Sequence, residues 1–165
     1  MTSMSVAAVD YEIDVRIEEG CWSGADSALS LIAQNALAAI HKLINARPFS
    51  ELSIAMLTND QVQALNKQYR GKDKPTNVLS FPASADGSCP LLGDIVLASG
   101  VVRAEAKAKN VSLANHVSHM LIHGFLHLQG YDHETENEAK VMEALEIKAL
   151  ADLGIVNPYA RDDES

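Results

Sequence analysis

Three histidines in the second half of the chain have the spacing of metal ligands. They lie in the run HGFLHLQGYDH and form the pattern HxxxHxxGxxH, with His123, His127 and His133 as its histidines. In an α-helix, His123 and His127 stand about 6 Å apart along the axis on the same face, so both imidazoles can reach one ion. Three neutral nitrogen ligands and one open position are typical of catalytic zinc sites, whereas structural sites are usually closed by four protein ligands. The pattern therefore predicts one Zn²⁺ per chain.

The third histidine needs a turn of the chain, and Gly130 is placed to supply it. This glycine follows His127 by three residues. Glycine readily takes the left-handed conformation that ends a helix. We therefore expect the helix to end near Gly130 and the chain to fold His133 back toward the other two histidines.

The residue after the first histidine bears on the reaction class. The spacing matches the HExxHxxGxxH pattern of the metzincin proteases, but Gly124 occupies the position of their glutamate. That glutamate acts as the general base of peptide hydrolysis, so its absence argues against a peptidase. Phosphodiester cleavage, in which charge stabilisation does most of the work, suits the remaining groups better. An amide or ester hydrolase stays as an alternative that the histidine spacing permits.

The segment around the histidines predicts a central helix. Residues 111–131 contain no Asp, Glu, Lys or Arg, yet they include four of the six histidines. We interpret this segment as a helix that is covered on most sides and carries its polar groups toward a cleft. Zinc-bound histidines usually donate their second N–H to an acceptor, for which Asp94 and Asp132 are candidates. His119 is either part of this supporting layer or a core residue.

The elements that must position these residues predict an α+β domain spanning residues 1–165. Ile13, Val15 and Ile17 alternate as in a half-buried strand, and Thr135 and Glu138 have capping-box spacing at a helix start. Residues 161–165 are expected to form a disordered tail. The predicted strands are 11–17, 53–57, 77–81 and 94–98, the last two as a hairpin, and the predicted helices are 26–46, 59–70, 101–109, 113–129 and 136–153.

The charge balance restricts how this chain can bind a polyanion. Its 13 Lys and Arg residues against 22 Asp and Glu residues give a formal net charge of -9, so nucleic-acid binding requires a local basic patch. Lys67, Arg70, Lys72 and Lys74 lie within eight residues with only Asp73 opposing them, and we call residues 67–74 the basic segment. It predicts either a solvated loop or, beside a metal site, a dock for phosphate. The three lysines are therefore candidate substrate-binding residues.

Cysteine content and hydropathy predict a cytoplasmic protein without a membrane partner. The chain has two cysteines, Cys21 and Cys89, and lacks both an apolar signal segment and a hydrophobic run of spanning length. Disulfide scaffolding and secretion therefore have no support in the sequence.

The histidine run resembles the signature of the YbeY endoribonucleases, a family of bacterial metal-dependent proteins associated with ribosomal RNA maturation. Two further stretches are similar to that family in the same order. They are LNKQYRGKDKPTNVLSFP at residues 65–82 and LLGDIVLA at residues 91–98. The resemblance extends over roughly residues 50–150, and the first third of the chain matches only in its layout.

The resemblance implies a fold, a function and a further site residue. The fold would be a YbeY-like metallohydrolase domain, with a small mixed four-stranded sheet and about five helices around the zinc helix. The function would be a zinc-dependent, single-strand-specific endoribonuclease that acts on ribosomal RNA and ribosomal particles in processing and quality control. Arg70 falls on the family's functional arginine, as a catalytic residue that contacts the scissile phosphate. Asn77 stands where most members carry Asp, so the role of that aspartate does not transfer. A ribosome-assembly factor with a mainly structural metal site is the non-enzymatic alternative, and the oligomeric state stays open.

Overall fold

Four strands and five helices make up the part of the chain that the computed structural model describes, residues 11–23, 28–84, 86 and 88–160. The predicted start of the first helix near residue 26 and the predicted tail 161–165 lie outside these residues. None of the described helices is long and apolar enough to cross a bilayer. In chain order the elements are β1 (Glu12–Ile17), α1 (Leu29–His41), β2 (Glu51–Leu57), α2 (Asn59–Arg70), β3 (Val78–Pro82), β4 (Leu91–Ala98), α3 (Ser99–Ala108), α4 (Leu113–Leu128) and α5 (Glu136–Asp152).

The four strands form one mixed sheet, which confirms the predicted α+β fold class. Their order is β1-β2-β4-β3, with β1, β2 and β4 parallel and β3 antiparallel to β4. Alternation along each strand gives the sheet two apolar faces. Ile54 and Ile95 lie on the face that packs against α1 and α4, and Leu79 and Val96 pack with Val62 of α2 on the other.

Helix α4 lies at the centre of the molecule, as the absence of charged residues predicts. Eleven of its sixteen residues are buried, and α1, α3, α5, β3 and β4 surround it. Gly124 is what allows the close approach to the sheet. A Cβ atom there would lie 2.9 Å from Cγ2 of Ile95 and 3.1 Å from Oγ of Ser80. The glycine that replaces the protease glutamate therefore faces the sheet.

Some element boundaries differ from the sequence-based prediction. Helix α1 ends at His41 rather than near residue 46. The chain then runs toward Pro48, and a proline disfavours the helical conformation at the residue before it. Thr58 caps the start of α2 and forms a capping box with Gln61, although Asn59 is also a residue type that favours this position. The Asn59 side chain instead accepts a hydrogen bond from the backbone N–H of Val101 at 3.0 Å, in the first turn of α3. Strand β4 begins three residues earlier than expected, at Leu91, and α3 begins directly after it.

Candidate metal centre

The three predicted ligands meet at the carboxyl end of α4. His123, His127 and His133 each offer a ring nitrogen, and these nitrogens lie within 4.8 Å of one another. His123 and His127 are half-buried, whereas His133 is exposed. The Nε2 atoms of His123 and His127 are 3.1 Å apart. The structure thus brings together the whole set that the sequence singled out.

The hydrogen bonds made by Nδ1 of His123 and Nδ1 of His127 leave the Nε2 atom of each ring to face the centre of the cluster. Nδ1 of His123 lies 2.7 Å from a carboxylate oxygen of Glu146, and Nδ1 of His127 lies 3.1 Å from the backbone carbonyl of Tyr131. Because both partners are acceptors, each Nδ1 carries the proton and each Nε2 presents a lone pair to the centre.

Two facing lone pairs at this distance fit a shared cation. Nitrogens bound tetrahedrally to zinc at about 2.05 Å would be separated by about 3.3 Å, close to the 3.1 Å observed between the two Nε2 atoms. Burial, and then the neighbouring His123 and His133, lower the pKa of His127 and keep it neutral. A neutral imidazole is the form that binds metal, so the residues present fit a divalent ion such as Zn²⁺.

The turn after α4 has the conformation that the sequence predicts. Gly130 has φ +96°, and among the described residues no atom beyond its chain neighbours lies within 4 Å of the position a Cβ would take. The turn is closed by hydrogen bonds from Gly130 N–H to the His127 carbonyl at 3.0 Å and from Tyr131 N–H to the Leu126 carbonyl at 2.9 Å. The left-handed glycine is therefore what folds the chain back and brings His133 to the pair.

Arg47, which sequence reasoning missed, holds the end of this helix. Its guanidinium donates to the carbonyl of Leu128 at 2.8 Å, and its backbone N–H donates to the Gln129 side chain at 2.7 Å. The last carbonyls of a helix have no partner within the helix, and a cation there also complements the helix dipole. No ligand spacing marks this arginine, because it lies in a loop about eighty residues earlier in the chain.

Glu146 is the buried carboxylate behind the metal ligands. Its side chain is fully buried and accepts hydrogen bonds from His123, from His119 at 2.8 Å and from the hydroxyl of Tyr159. Burial opposes its ionisation, but the three hydrogen bonds prevail and hold the pKa of Glu146 at about 2. The signal in the sequence was a charged residue on the buried stripe of α5, four positions after Met142. Such a residue requires a partner in the core.

The other predicted supporting residues have different positions. Asp94 points away from α4, because its neighbour Ile95 occupies the face that packs on Gly124, so Asp94 does not orient a histidine of the cluster. The Asp132 carboxylate accepts from the backbone N–H of His133 at 2.8 Å, not from a ring nitrogen. His119 is connected to His123 through Glu146, because each histidine contacts one carboxylate oxygen of Glu146.

Arg70 lies at the end of α2 against the edge strand β3. Its guanidinium donates to the carbonyl of Ser80 at 2.6 Å and lies 5.5 Å from the centre of the Phe81 ring. The hydroxyl of Ser80 in turn donates to the carbonyl of Gly124, the residue after His123, at 3.1 Å. One strand residue therefore contacts both the arginine and the helix that carries the metal ligands.

The lysines of the basic segment are all exposed, but they differ in their contacts. Lys67 lies 3.9 Å from the carboxylate of Asp73. Lys72 and Lys74 follow the cap of α2, where the buried Asn66 accepts from Lys72 N–H at 3.2 Å and its amide donates to the Lys74 carbonyl at 2.9 Å. This loop is thus anchored by Asn66, and its two lysine side chains extend from a fixed backbone.

Asn77, the departure from the family pattern, faces a carboxylate. Its amide nitrogen lies 3.2 Å from Glu105, which in turn is 2.8 Å from Nε2 of the buried His116. An aspartate at position 77 would place two carboxylates in contact and disfavour the ionisation of both. The amide is therefore matched to Glu105 in this chain.

A mixed sheet crossed by a helix with three convergent histidines defines this chain as a metal-binding α+β protein. The sequence model of the family described as Endoribonuclease YbeY matches residues 16–154. The chain belongs to this family.

Several relatives support this assignment. The protein named Endoribonuclease YbeY from Maricaulis maris is 43% identical over 153 residues, which cover 92% of this chain and 93% of that protein. The protein of the same name from Sphingopyxis alaskensis is 46% identical over 149 residues, 84% of this chain and 89% of its own length. The solution structure of TM1509 from Thermotoga maritima matches with a TM-score of 0.55 over 93% of this chain and 99% of that one. At 22% identity this last likeness supports the fold alone.

Proposed function

We propose that this protein is a zinc-dependent endoribonuclease that cleaves single-stranded RNA, acting in the cytoplasm on ribosomal RNA and ribosomal particles during maturation and quality control. The observation that carries the proposal is the convergence of Nε2 of His123 and Nε2 of His127 with His133 at the end of α4. Helix α4 packs against strand β3, and Arg70 donates to the Ser80 carbonyl of that strand. The names of the relatives indicate RNA as the substrate class, and a set of three histidine ligands favours zinc as the metal.

The residues around the centre have separate tasks in such a reaction. His123, His127 and His133 would hold the zinc, which would supply an open coordination position and stabilise negative charge on a phosphate oxygen. Arg70 would grip nonbridging oxygens with its planar guanidinium, which is charged at every working pH. The buried Glu146 has no exposed surface, so it acts by orienting His123 rather than by touching RNA. Tyr69, beside Arg70, is 61% exposed and offers a ring on which a base can stack.

A comparison of zinc-loaded and zinc-stripped protein tests this function. We expect the loaded protein to cleave a single-stranded RNA oligonucleotide and to leave the DNA of the same sequence intact. His127→Ala should lose both zinc and cleavage, since it removes one of three ligands. His41→Gln, which changes a histidine outside the cluster, is the matched control and should retain both.

The same samples separate the alternatives. Circular dichroism of the stripped protein shows whether it stays folded. A folded protein that has lost cleavage supports a catalytic metal, whereas unfolding on zinc removal supports the assembly factor with a structural site. Cleavage at the wild-type rate by zinc-free His127→Ala would contradict the proposal. Mapping of ribosomal RNA ends in cells that carry only His127→Ala tests the ribosomal role, which predicts unprocessed ends.

A further inference from the structure

A cavity lies beside the amino-terminal half of α4, away from the metal ligands. Its volume is about 740 Å³, within the range of small-molecule sites. The end of α3, the start of α4, the end of α5 and the following chain to Ala160 form its walls. The residues that matter for its chemistry are Lys109, Asn115, His116, His119, Leu150 and Val156.

The cavity and the metal centre share one face of the helix. His116, His119, His123 and His127 follow one another at intervals of three or four residues, so they form a single stripe along α4. The first two line the cavity and the last two belong to the metal centre. From His119 to His123 the helix rises by only about 6 Å, which is on the scale of one nucleotide of an RNA strand.

The lining suits a nucleobase. Leu150 and Val156 supply apolar surface, and the amide of Asn115 supplies both a hydrogen-bond donor and an acceptor. Lys109 adds a positive charge to a chain that is acidic overall, and a phosphate attached to a base would be attracted to it. A flat apolar ring with polar edges and a nearby anion matches this combination.

Two further features border the cavity. Nδ1 of the buried His119 has no hydrogen-bond partner among the described residues. Because Nε2 of His119 lies 2.8 Å from a carboxylate oxygen of Glu146 and donates to it, Nδ1 is an acceptor, and every nucleobase carries an N–H or amino donor. Tyr159 is flanked by two lining residues, is 41% exposed, and packs edge-on against His119 with ring centres 5.5 Å apart. Such a partly exposed aromatic ring is a stacking surface for a base.

We propose that this cavity is a subsite for one base of single-stranded RNA, the nucleotide next to the phosphate that is cleaved at the metal centre. The proposal rests on the proposed function for its ligand class. It gives a reason for single-strand specificity, because a base can enter such a cavity only when it is unpaired and turned out of a stack.

Titration of zinc-loaded protein with nucleoside monophosphates, followed by NMR, tests the subsite directly. We expect the resonances of His116 and His119 to shift with a nucleoside monophosphate. Ribose 5-phosphate, which lacks the base, should bind more weakly by a factor of about ten or more. Val156→Glu places a negative charge at an exposed lining position and should weaken nucleotide binding about tenfold while zinc content stays unchanged. Val141→Glu makes the same change at an exposed position of α5 outside the lining and should have no effect.

Repeating the titration with zinc-free His127→Ala separates this subsite from the proposed function. Nucleotide binding that persists in this variant, and that Val156→Glu weakens, supports the cavity even if the wild-type protein cleaves no RNA. Equal affinity for ribose 5-phosphate, loss of binding together with zinc, or insensitivity to Val156→Glu would each overturn the subsite and leave endonuclease activity to be judged by cleavage alone.

Discussion

The metal centre and the basic segment are constructed in different ways. The three histidines come from one run of eleven residues, and buried or half-buried partners orient His123 and His127. The cations of the basic segment lie at the surface, where only Arg70 donates to a carbonyl of the sheet. Lys72 and Lys74 have a fixed backbone but exposed side chains.

This difference indicates how the two regions contribute to a reaction. A group held by buried hydrogen bonds is already oriented when substrate arrives, so it can stabilise a transition state at little further cost. An exposed lysine must give up side-chain entropy, and salt screens its charge. We therefore expect substitutions to affect the rate most at anchored residues and to affect only the affinity at exposed ones. Arg70 is exposed but donates to a carbonyl of the sheet, so its substitution shows whether it behaves like an anchored residue or like an exposed lysine.

Arg70→Ala should keep its zinc and its fold while RNA cleavage falls about a hundredfold or more. The loss follows because the metal neutralises only part of the charge that develops on the phosphate. Arg70→Lys should recover only part of the rate, since a lysine cannot bind two phosphate oxygens in a planar fork. Single-turnover cleavage with saturating zinc is the measurement. A rate within a few fold of wild type would place Arg70 with the exposed lysines.

Glu146→Gln should lower zinc affinity by about 10- to 100-fold, as is typical when the partner of a metal-bound histidine is changed. The amide keeps one acceptor oxygen but turns a donor group toward either His119 or His123, both of which donate to the carboxylate. Competition with a chelator measures the affinity. Glu143→Gln, one turn earlier on α5, is the matched control and should leave the affinity unchanged. An unaltered affinity in Glu146→Gln would show that the buried carboxylate does not tune the centre.

The same contrast explains which features the sequence could predict. His123, His127, Gly130 and His133 lie within eleven residues, so helix geometry and one turn suffice to place them. Apolar spacing, alternation in β1 and the capping box of α5 also predict the four strands and five helices of the described residues, although several of their boundaries differ. For residues that are far apart in the chain, no signal in the sequence identifies the partner: Glu146 stands out as a charged residue on a buried stripe, but nothing near it points to His119 or His123.

Two residues illustrate this limit. Arg47 contacts α4 from the loop between α1 and β2, and Glu146 contacts it from α5. No spacing rule connects either residue to a histidine. Asp94 shows the same limit from the other side. Its residue type suited a histidine partner, but strand alternation places it on the opposite face of the sheet.

Gly124→Ala should destabilise the protein by about 1 to 2 kcal/mol, because the cost of overpacking exceeds the gain in helix propensity. The new methyl group would press on Ile95 and Ser80. In the double variant Gly124→Ala, Ile95→Ala the two penalties should be less than additive, since space is restored. Urea unfolding measures both. Additive penalties would show that the close helix–sheet contact is not what the glycine serves.

Gly124→Glu restores the protease pattern but should not produce casein cleavage. The side chain at this position starts toward Ile95 and Ser80 rather than toward the histidines, so a glutamate there has no route to a substrate at the metal centre. We expect a larger loss of stability than with alanine. Robust peptide hydrolysis by a folded Gly124→Glu protein would contradict this placement.

The smallest effect is expected at the exposed lysines, and its signature is the dependence of RNA binding on salt. Each phosphate contact to single-stranded RNA contributes about 0.7 to the slope of log affinity against log salt. The double variant Lys72→Gln, Lys74→Gln should therefore reduce that slope by about 1.4 and weaken binding only a few fold at moderate salt, while kcat and zinc content stay constant.

Lys67 is left in place because Asp73 already offsets its charge. The double variant Lys140→Gln, Lys148→Gln removes the same charge from exposed positions of α5, so it controls for the change in net charge. If both double variants change the slope equally, the lysines act only through the overall charge of the protein, and Arg70 would be the one residue of the basic segment with a defined contact to RNA.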